Sequence, residues 1–399
     1  MFHPKFSSLA ALSALCLLPP AGFGQDQLPS DNGTVMTTVV TTVQPSKAAA
    51  LPMQLAPDHA NLRYTGRFDH QSGGALCAWP ASAVSLKFRG TGAVANLGIG
   101  GNRVLVIVDG KPAKILTGNA KEKAAPAPTP QLYSLAAGLP DGEHTVTLLK
   151  ITEASCGNFQ FAGFQLPAGS EVLTLPAAAR KIEVIGDSIS AGYGNEAANQ
   201  GEHFSPDTEN AYWTYGAITA RAVGADYNCY AWSGKTLWPT NTMPELYDRV
   251  LPKDANSVWS GDAQKPDVIL INLGTNDFNR KEQPEEEAWV NAFHEFLARL
   301  RKQSPEAQIY CAHGPLLTDS YPTGAQAGTK SRRAVQRVVK EQNERGDAKV
   351  HYLEFKTQNP FVDGAGADFH PNIKTHHAMA AKFLDALKQD LGWNAEKPE

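Results

Sequence analysis

Ile182-Glu183-Val184-Ile185-Gly186-Asp187-Ser188-Ile189-Ser190-Ala191-Gly192-Tyr193-Gly194 is the stretch on which the fold turns. An apolar, β-rich run breaks at glycine, and a serine stands at the break. This is expected where a buried strand ends and the next residues aim a hydroxyl into a cleft. The spacing differs from the G-x-S-x-G elbow, because no glycine lies two residues after the serine. Taken alone, Gly186-Asp187-Ser188 is also the ordinary end of a strand followed by a polar turn, so a base and oxyanion donors must come from elsewhere in the chain.

Downstream of Pro176 the pattern alternates strand and helix. Buried-type strands are expected at Ile182–Ile185, Ala225–Ala231, Asp267–Leu273, Gln308–Ala312 and Val350–Leu353. Helical patterns lie between them at about Ala211–Val223, Pro284–Gln303 and Thr329–Arg345, and a last helix is expected over Ile373–Leu391. Parallel strands joined by helices build a doubly wound α/β/α layer, here assigned to residues 176–393. Such a sheet binds ligands beyond the carboxyl ends of its strands. Polar clusters fall at those ends: Asp187-Ser188, Trp232-Ser233-Gly234-Lys235, Gly274-Thr275-Asn276-Asp277 and, before the last helix, Gly366-Ala367-Asp368-Phe369-His370-Pro371-Asn372.

Upstream, residues 55–175 read as short alternating strands with no amphipathic helix among them. The runs are Arg63–Phe68, Val84–Arg89, Ala93–Ile99, Arg103–Val108, His144–Ile151 and Phe159–Leu166, with Asp109-Gly110 and Asp141-Gly142 as hairpin-type turns. An all-β sandwich of jelly-roll type is expected, with the Pro/Ala-rich Lys121–Pro130 as a surface loop. Residues 25–54 read as a linker. Residues 1–24 read as a cleaved export signal, with His3 and Lys5 before an apolar Leu9–Leu18 and small residues near Gly22 and Gly24. Cys16 follows Leu15, where lipoprotein processing favours a small residue, so the expectation is secretion into the periplasm or medium rather than lipid anchoring.

A net charge of −4 without a basic stripe offers nothing to a nucleic acid, and no later run is long and apolar enough to span a membrane. Past the signal there are Cys77, Cys156, Cys229 and Cys311. Cys77 and Cys156, at strand edges, could pair in an oxidising compartment, while Cys229 and Cys311 lie inside apolar strands as buried thiols. No Cys/His spacing matches a zinc site, so no metal is implied.

The ordered set Gly-Asp-Ser, lone Gly234, Gly-x-Asn-Asp and His-Pro resembles the SGNH, or GDSL-type, hydrolases. With the β-sandwich in front, the strings GDSISAGYGNE, SGKTLW, INLGTNDF and ADFHPN are more specifically similar to carbohydrate esterase family 2. The resemblance runs from about Arg63 to the last helix and implies an SGNH-type α/β/α sandwich with a flavodoxin-like parallel sheet. It further implies a secreted esterase that needs no cofactor and deacetylates O-acetylated sugars, oligosaccharides or xylan- and mannan-type polysaccharides. A preference for 6-O-acetyl hexosides is implied within the family. Other readings are a different ester hydrolase on this scaffold, such as a lysophospholipase or thioesterase, and a carbohydrate-binding protein with a weak esterase site.

Chemically, Ser188 is the candidate nucleophile and needs a base to take its proton. His370 is that base, with Pro371 expected at the first helical position so that the helix dipole keeps the ring neutral. The resemblance implies an oxyanion hole from the N–H of Ser188, the N–H of Gly234 and the side-chain amide of Asn276. Many SGNH enzymes carry an acid three residues before the histidine, and here that residue is Ala367. Asp368, two residues before, is the candidate orienter of His370, the alternative being the backbone carbonyl used in the Ser-His dyads of some family 2 members. Asp187 is expected to tie down the serine turn and Asp277 to cap the segment after the third strand. Tyr193, Trp232, Trp238, Phe278 and Phe369 have faces suited either to sugar stacking or to packing. His376 and His377 read as structural.

Overall fold

The computed structural model describes residues 53–261 and 265–395. The expected signal over 1–24 and nearly all of the expected linker lie outside the described residues.

The first half is antiparallel β. Its strands are Met53–Leu55 (β1), Arg63–Thr65 (β2), Asp69–Gln71 (β3), Gly74–Cys77 (β4), Ala83–Gly98 (β5), Arg103–Val108 (β6), Lys111–Thr117 (β7), Gln131–Lys150 (β8), Phe159–Leu166 (β9) and Glu171–Leu173 (β10). They form one ten-stranded sheet with the path β3-β4-β9-β5-β8-β6-β7, so the two expected layers are a single sheet folded over one core. That core packs Val84, Leu86 and Phe88 with Leu97, Val146, Leu148 and Phe161.

The fold-over explains two departures from the sequence reading. The runs Val84–Arg89 and Ala93–Ile99 are one strand, because β5 continues through Gly90 and Gly92, where its pairing with β8 shifts register. A side chain at residue 92 would put its Cβ 2.7 Å from the Ala136 carbonyl oxygen, so only glycine fits this corner. Asp141-Gly142 lies inside β8 rather than in a hairpin turn, with Gly142 paired to Gly90 at the same corner. A turn dipeptide supplies the backbone freedom that a bend needs as much as a hairpin does. Asp109-Gly110 does join β6 to β7.

The second half carries a parallel sheet of Arg180–Gly186 (β11), Ala225–Ala231 (β12), Val268–Asn272 (β13), Gln308–His313 (β14) and Val350–Glu354 (β15) in the order β12-β11-β13-β14-β15. Its helices are Ser188–Ala191 (α1), Tyr215–Ala222 (α2), Met243–Leu246 (α3), Thr275–Phe278 (α4), Glu286–Gln303 (α5), Ala327–Glu344 (α6) and Ile373–Leu391 (α7). This is the expected α/β/α sandwich. Alternate residues feed the two faces: Ile182, Val184, Val268 and Leu270 meet Tyr215, Met379 and Phe383 of α2 and α7. Ile185, Ile269 and Ile271 meet Trp289, Phe293, Leu297 and Val335 of α5 and α6. Burial on both faces is why these strands read as unbroken apolar runs. The order reverses between β12 and β13 around β11, so the switch point of the sheet lies where β11 ends, at Ser188. Among the described residues no helix is long and apolar enough to cross a membrane.

All four cysteines in the described residues are free and buried, so the pairing open to Cys77 and Cys156 is not present. Cys77 lies within the β core, while the Cys156 thiol faces Glu209 of the other half at 3.9 Å. Burial pushes both thiols up to about 12.

Trp79 joins the two halves. It is fully buried, its Nε1 donates to the Arg249 carbonyl at 3.0 Å, and its ring meets Tyr230 edge-on at 5.6 Å. Trp79→Ala leaves a large cavity and removes the shorter of the two bonds to the Arg249 carbonyl, Arg67 Nη1 at 3.3 Å remaining, and should cost about 3–5 kcal/mol in denaturant unfolding. A loss below about 1 kcal/mol would show that this contact does not hold the halves together.

Candidate active site

Ser188 comes one residue after β11 and opens α1, where the intervening Asp187 caps by accepting from the Ile189 N–H at 3.0 Å. As the first helical residue, Ser188 has a backbone N–H with no partner inside the helix. The residue is buried, at 6% exposure. Gly192, in the left-handed region at φ 93°, ends this short helix, and the chain then runs on to Gly194.

His370 comes to Ser188 from the loop between β15 and α7. Its Nε2 lies 2.9 Å from Ser188 Oγ, and its Nδ1 lies 3.1 Å from the Ala367 carbonyl oxygen. A carbonyl can only accept, so Nδ1 carries the hydrogen and Nε2 presents its lone pair to the serine hydroxyl. Ala367 O also accepts the His370 backbone N–H at 2.9 Å. The intervening residues are bent for this purpose: Asp368 and Phe369 both have positive φ, 49° and 65°. Backbone of this kind persists only where its surroundings enforce it. Here Ala367 N–H donates to Gly194 O at 3.0 Å and Asp368 N–H to Glu202 O at 2.9 Å. Gly194 and Gly366 make the close approach possible, since a Cβ on Gly194 would lie 2.4 Å from that of Ala367. Pro371 falls before the helix cap rather than at the first helical position, because Asn372 caps α7 through the Thr375 N–H at 2.9 Å.

The Asp368 carboxylate does not reach Nδ1 of His370. In the left-handed conformation it turns away and accepts from Tyr193 Oη at 2.6 Å, with His203 Nδ1 at 2.7 Å on its other oxygen. Its influence on His370 is indirect. Tyr193, so held, stacks on the imidazole with ring centres 4.0 Å apart and planes 25° from parallel. Burial pushes the His370 pKa below the ordinary histidine value, with the Ala367 carbonyl and the Asp368 charge opposing that shift. The ring is therefore neutral at pH 7, as a base requires.

Gly234 stands in the loop after β12 at φ 76°, a left-handed conformation suited to glycine, and nothing lies within 4 Å of where a Cβ would sit. Among the described residues its N–H meets no acceptor. Asn276, on α4, donates its side-chain amide to the Lys235 carbonyl at 2.9 Å, and the same nitrogen lies 3.4 Å from Asp187 Oδ2. The loops bearing Gly234 and Asn276 are thus tied to each other and to the serine turn. Burial, reinforced by nearby Asp277, raises the Asp187 carboxyl to about 7. A carboxyl so close to neutral opposes a nearby developing oxyanion less than a fully ionised one.

Asp277 does not cap its own helix. Its buried carboxylate accepts the Leu237 and Trp238 N–H groups, both at 3.0 Å, and Trp289 Nε1 at 2.9 Å, holding the loop after β12. Phe278 is core, packed on Trp289. Trp232 and Trp238 are half-buried, with Lys235 Nζ 4.6 Å from the centre of a Trp232 ring, and Phe369 is 53% exposed beside His370. His376 is buried and accepts the Tyr215 N–H at 3.2 Å, and burial pushes it down to about 3. The Ala367 carbonyl, the stacking of Tyr193 and the part of His203 left no signal in the sequence: a carbonyl belongs to every residue, and the other two depend on a loop closing over 165 residues or more.

Two family models cover the chain: Carbohydrate esterase 2 N-terminal over residues 64–176 and GDSL-like Lipase/Acylhydrolase family over 184–378. Cellulase/esterase CelE of Acetivibrio thermocellus is 38% identical over 344 residues, 84% of this chain, which spans only 40% of that protein. An acetylxylan esterase / glucomannan deacetylase of Cellvibrio japonicus is 27% identical over 336 residues, 79% of this chain and 86% of its own length. A family two carbohydrate esterase from Clostridium thermocellum, solved with cellohexaose, superposes with a TM-score of 0.76 at 38% identity, covering 83% of this chain and 99% of that one.

The contacts of Asp368 separate two arrangements. An aspartate that fixes the histidine tautomer costs about 10⁴ in turnover when replaced by its amide. With Ala367 O in that position, Asp368→Asn should lower ester turnover by no more than about tenfold, through loosened Tyr193 and lost charge near the ring. A fall of three or more orders of magnitude would return Asp368 to the role of orienter.

Proposed function

The chain belongs to carbohydrate esterase family 2 and is a carboxylic ester hydrolase, and from this we propose that it removes acetyl groups from O-acetylated polysaccharides or oligosaccharides of the xylan and mannan type through a serine acyl-enzyme. The observation that carries the reading is the pairing of Ser188 Oγ with His370 Nε2 at 2.9 Å while Nδ1 is held by the Ala367 carbonyl.

In this mechanism Ser188 Oγ attacks the acetyl carbonyl carbon as its proton passes to His370 Nε2. The negative charge that develops on the carbonyl oxygen is taken up by the N–H of Ser188, the N–H of Gly234 and the Asn276 amide, which keeps its 2.9 Å bond to Lys235 O and turns the hydrogen of its long 3.4 Å contact with Asp187 to the oxyanion. The imidazolium keeps its Nδ1–H on Ala367 O. A neutral carbonyl stabilises that cation less than a carboxylate does, and the Tyr193 face and the Asp368 charge make up part of the difference. Collapse of the tetrahedral species breaks the ester bond, and Nε2–H protonates the departing sugar oxygen. Water, activated by the same nitrogen, then attacks the acetyl-serine and releases acetate. No cofactor takes part.

The substrate class is supported by the exposed position of Gly234, the open space beside it and the exposed Phe369 at the rim. A chain passing along the surface can present an acetyl group there without being swallowed. The names of the relatives agree, one being an acetylxylan esterase / glucomannan deacetylase. Secretion is proposed with it, because the basic start and apolar Leu9–Leu18 read as an export signal and a polymer cannot enter the cell.

Acetate release from acetylated xylan and glucomannan should be abolished in Ser188→Ala, with a fall of at least about 10³. Equal release by both proteins would end the serine mechanism, and faster turnover of long-chain acyl esters than of acetylated sugar would favour a lipase- or thioesterase-like substrate. The pH profile follows from the lowered His370 pKa: the base works when neutral, so activity is full above that pKa and is lost as pH falls through it. The acidic limb of kcat/KM should have its midpoint below about 6.5. A midpoint above that value would mean the free enzyme's base is not the desolvated His370.

A further inference from the structure

One buried carboxylate of the β half is spent on the catalytic half. Glu153 follows β8 and is 2% exposed. Its Oε2 accepts the Ser233 backbone N–H at 2.8 Å and also the Ser233 hydroxyl. Among the described residues its carboxylate has no other hydrogen-bond donor; within its own half the buried Lys150 ammonium offers it charge but no hydrogen bond to the carboxylate. Burying a carboxylate is costly unless it is bonded, and both bonds made here lie next to Gly234.

Glu153 itself is held firmly. Its N–H donates to Glu209 Oε2 at 2.9 Å, and its carbonyl accepts from the fully buried Lys150 Nζ at 3.1 Å. On the other side of Gly234, the Asn241 side-chain amide donates to the Gly234 carbonyl at 3.0 Å. Gly234 has positive φ and no side chain to lock it, and among the described residues its own N–H is unengaged. The direction of that N–H is therefore set from its two flanks, by Glu153 through Ser233 and by Asn241.

We propose that Glu153 is a positioning residue for the oxyanion hole, by which the β domain, through Ser233, aims the Gly234 N–H at the carbonyl oxygen of the ester. The inference rests on the Ser188 mechanism with Gly234 as a donor. It gives the β half a part in turnover beyond packing. A donor displaced by a fraction of an ångström loses most of its worth at the transition state while the ground-state ester binds almost as before, so the effect falls on kcat.

The test uses the full chain and p-nitrophenyl acetate. Glu153→Ala should lower kcat about tenfold to a hundredfold with KM within about twofold of wild type. Glu153→Gln, whose amide oxygen accepts the same two bonds, should recover kcat to within about threefold of wild type. Adding Ser233→Ala to Glu153→Ala should cost little more, since both act on one contact. Leu148→Ala, in the β core away from Ser233, destabilises the same half and should keep kcat when assayed well below its Tm. A kcat for Glu153→Ala within about twofold of wild type, or an equal loss in Leu148→Ala, overturns the proposal. If Glu153→Ala does not fold, Ser233→Ala alone decides: a several-fold drop in kcat at unchanged KM supports the anchor, and no drop overturns it. Ser188→Ala separates the premises, because activity surviving in that variant removes the mechanism, whereas activity lost there but intact in Glu153→Ala removes only the anchor.

Discussion

The site depends on one oxygen atom, the carbonyl of Ala367, which accepts both the backbone N–H and the ring Nδ1–H of His370. Two bonds from one residue fix the position of the imidazole and its tautomer together. To turn that oxygen inward, the chain passes through two consecutive left-handed residues, a conformation that Asp and especially Phe seldom adopt. The strain is borne by contacts the loop makes elsewhere, with Gly194, Glu202 and, through Gln358, the Phe369 carbonyl at 3.0 Å. The same twist that brings the carbonyl in sends the Asp368 carboxylate out. Carbonyl and carboxylate are thus alternatives: in this geometry the aspartate has become the support of Tyr193 rather than of His370.

Electrostatics across the site follow the same economy of charge. His370 is desolvated and neutral, Asp187 is pushed up toward neutrality, and the ionised Asp368 stays at the rim. The imidazole beside Ser188 thus carries no charge, and the carboxyl beneath the serine turn carries less than an ordinary aspartate does. Around them, buried carboxylates act as fasteners for loops. Asp277 gathers the Leu237 and Trp238 N–H groups, and Glu153 gathers Ser233, so the loop after β12 is gripped from α4 on one side and from the β half on the other. Loops at the carboxyl edge of a parallel sheet have no ladder of their own, and such grips take its place.

Much of this was legible in the chain. The five buried strands and α7 were readable because both faces of the sheet are covered, which forces continuous apolar runs such as Val268–Asn272. The polar breaks after them marked one edge, and that placed Ser188, Gly234, Asn276 and His370 in one neighbourhood. The β half was readable as alternating strands, but not its corner at Gly90–Gly92, since a glycine inside a strand and a glycine between strands look alike in one dimension. Asp141-Gly142 misled for that reason, and Cys77 and Cys156 misled because pairing depends on distance, which sequence spacing does not encode.

Residue order alone points to ester-hydrolase chemistry and to the sequence of its candidate parts: a serine at the end of a buried strand, a histidine before the last helix, a glycine and an asparagine between. These rest on local rules of burial, turn propensity and side-chain chemistry, which act over a few residues. Which group stands behind His370, and which residues hold the loops, is settled in the folded chain. Those choices depend on backbone dihedrals at Asp368 and Phe369 and on contacts across the chain, such as the 80 residues separating Glu153 from Ser233. A carbonyl's direction is a property of the folded backbone, and no residue type announces it.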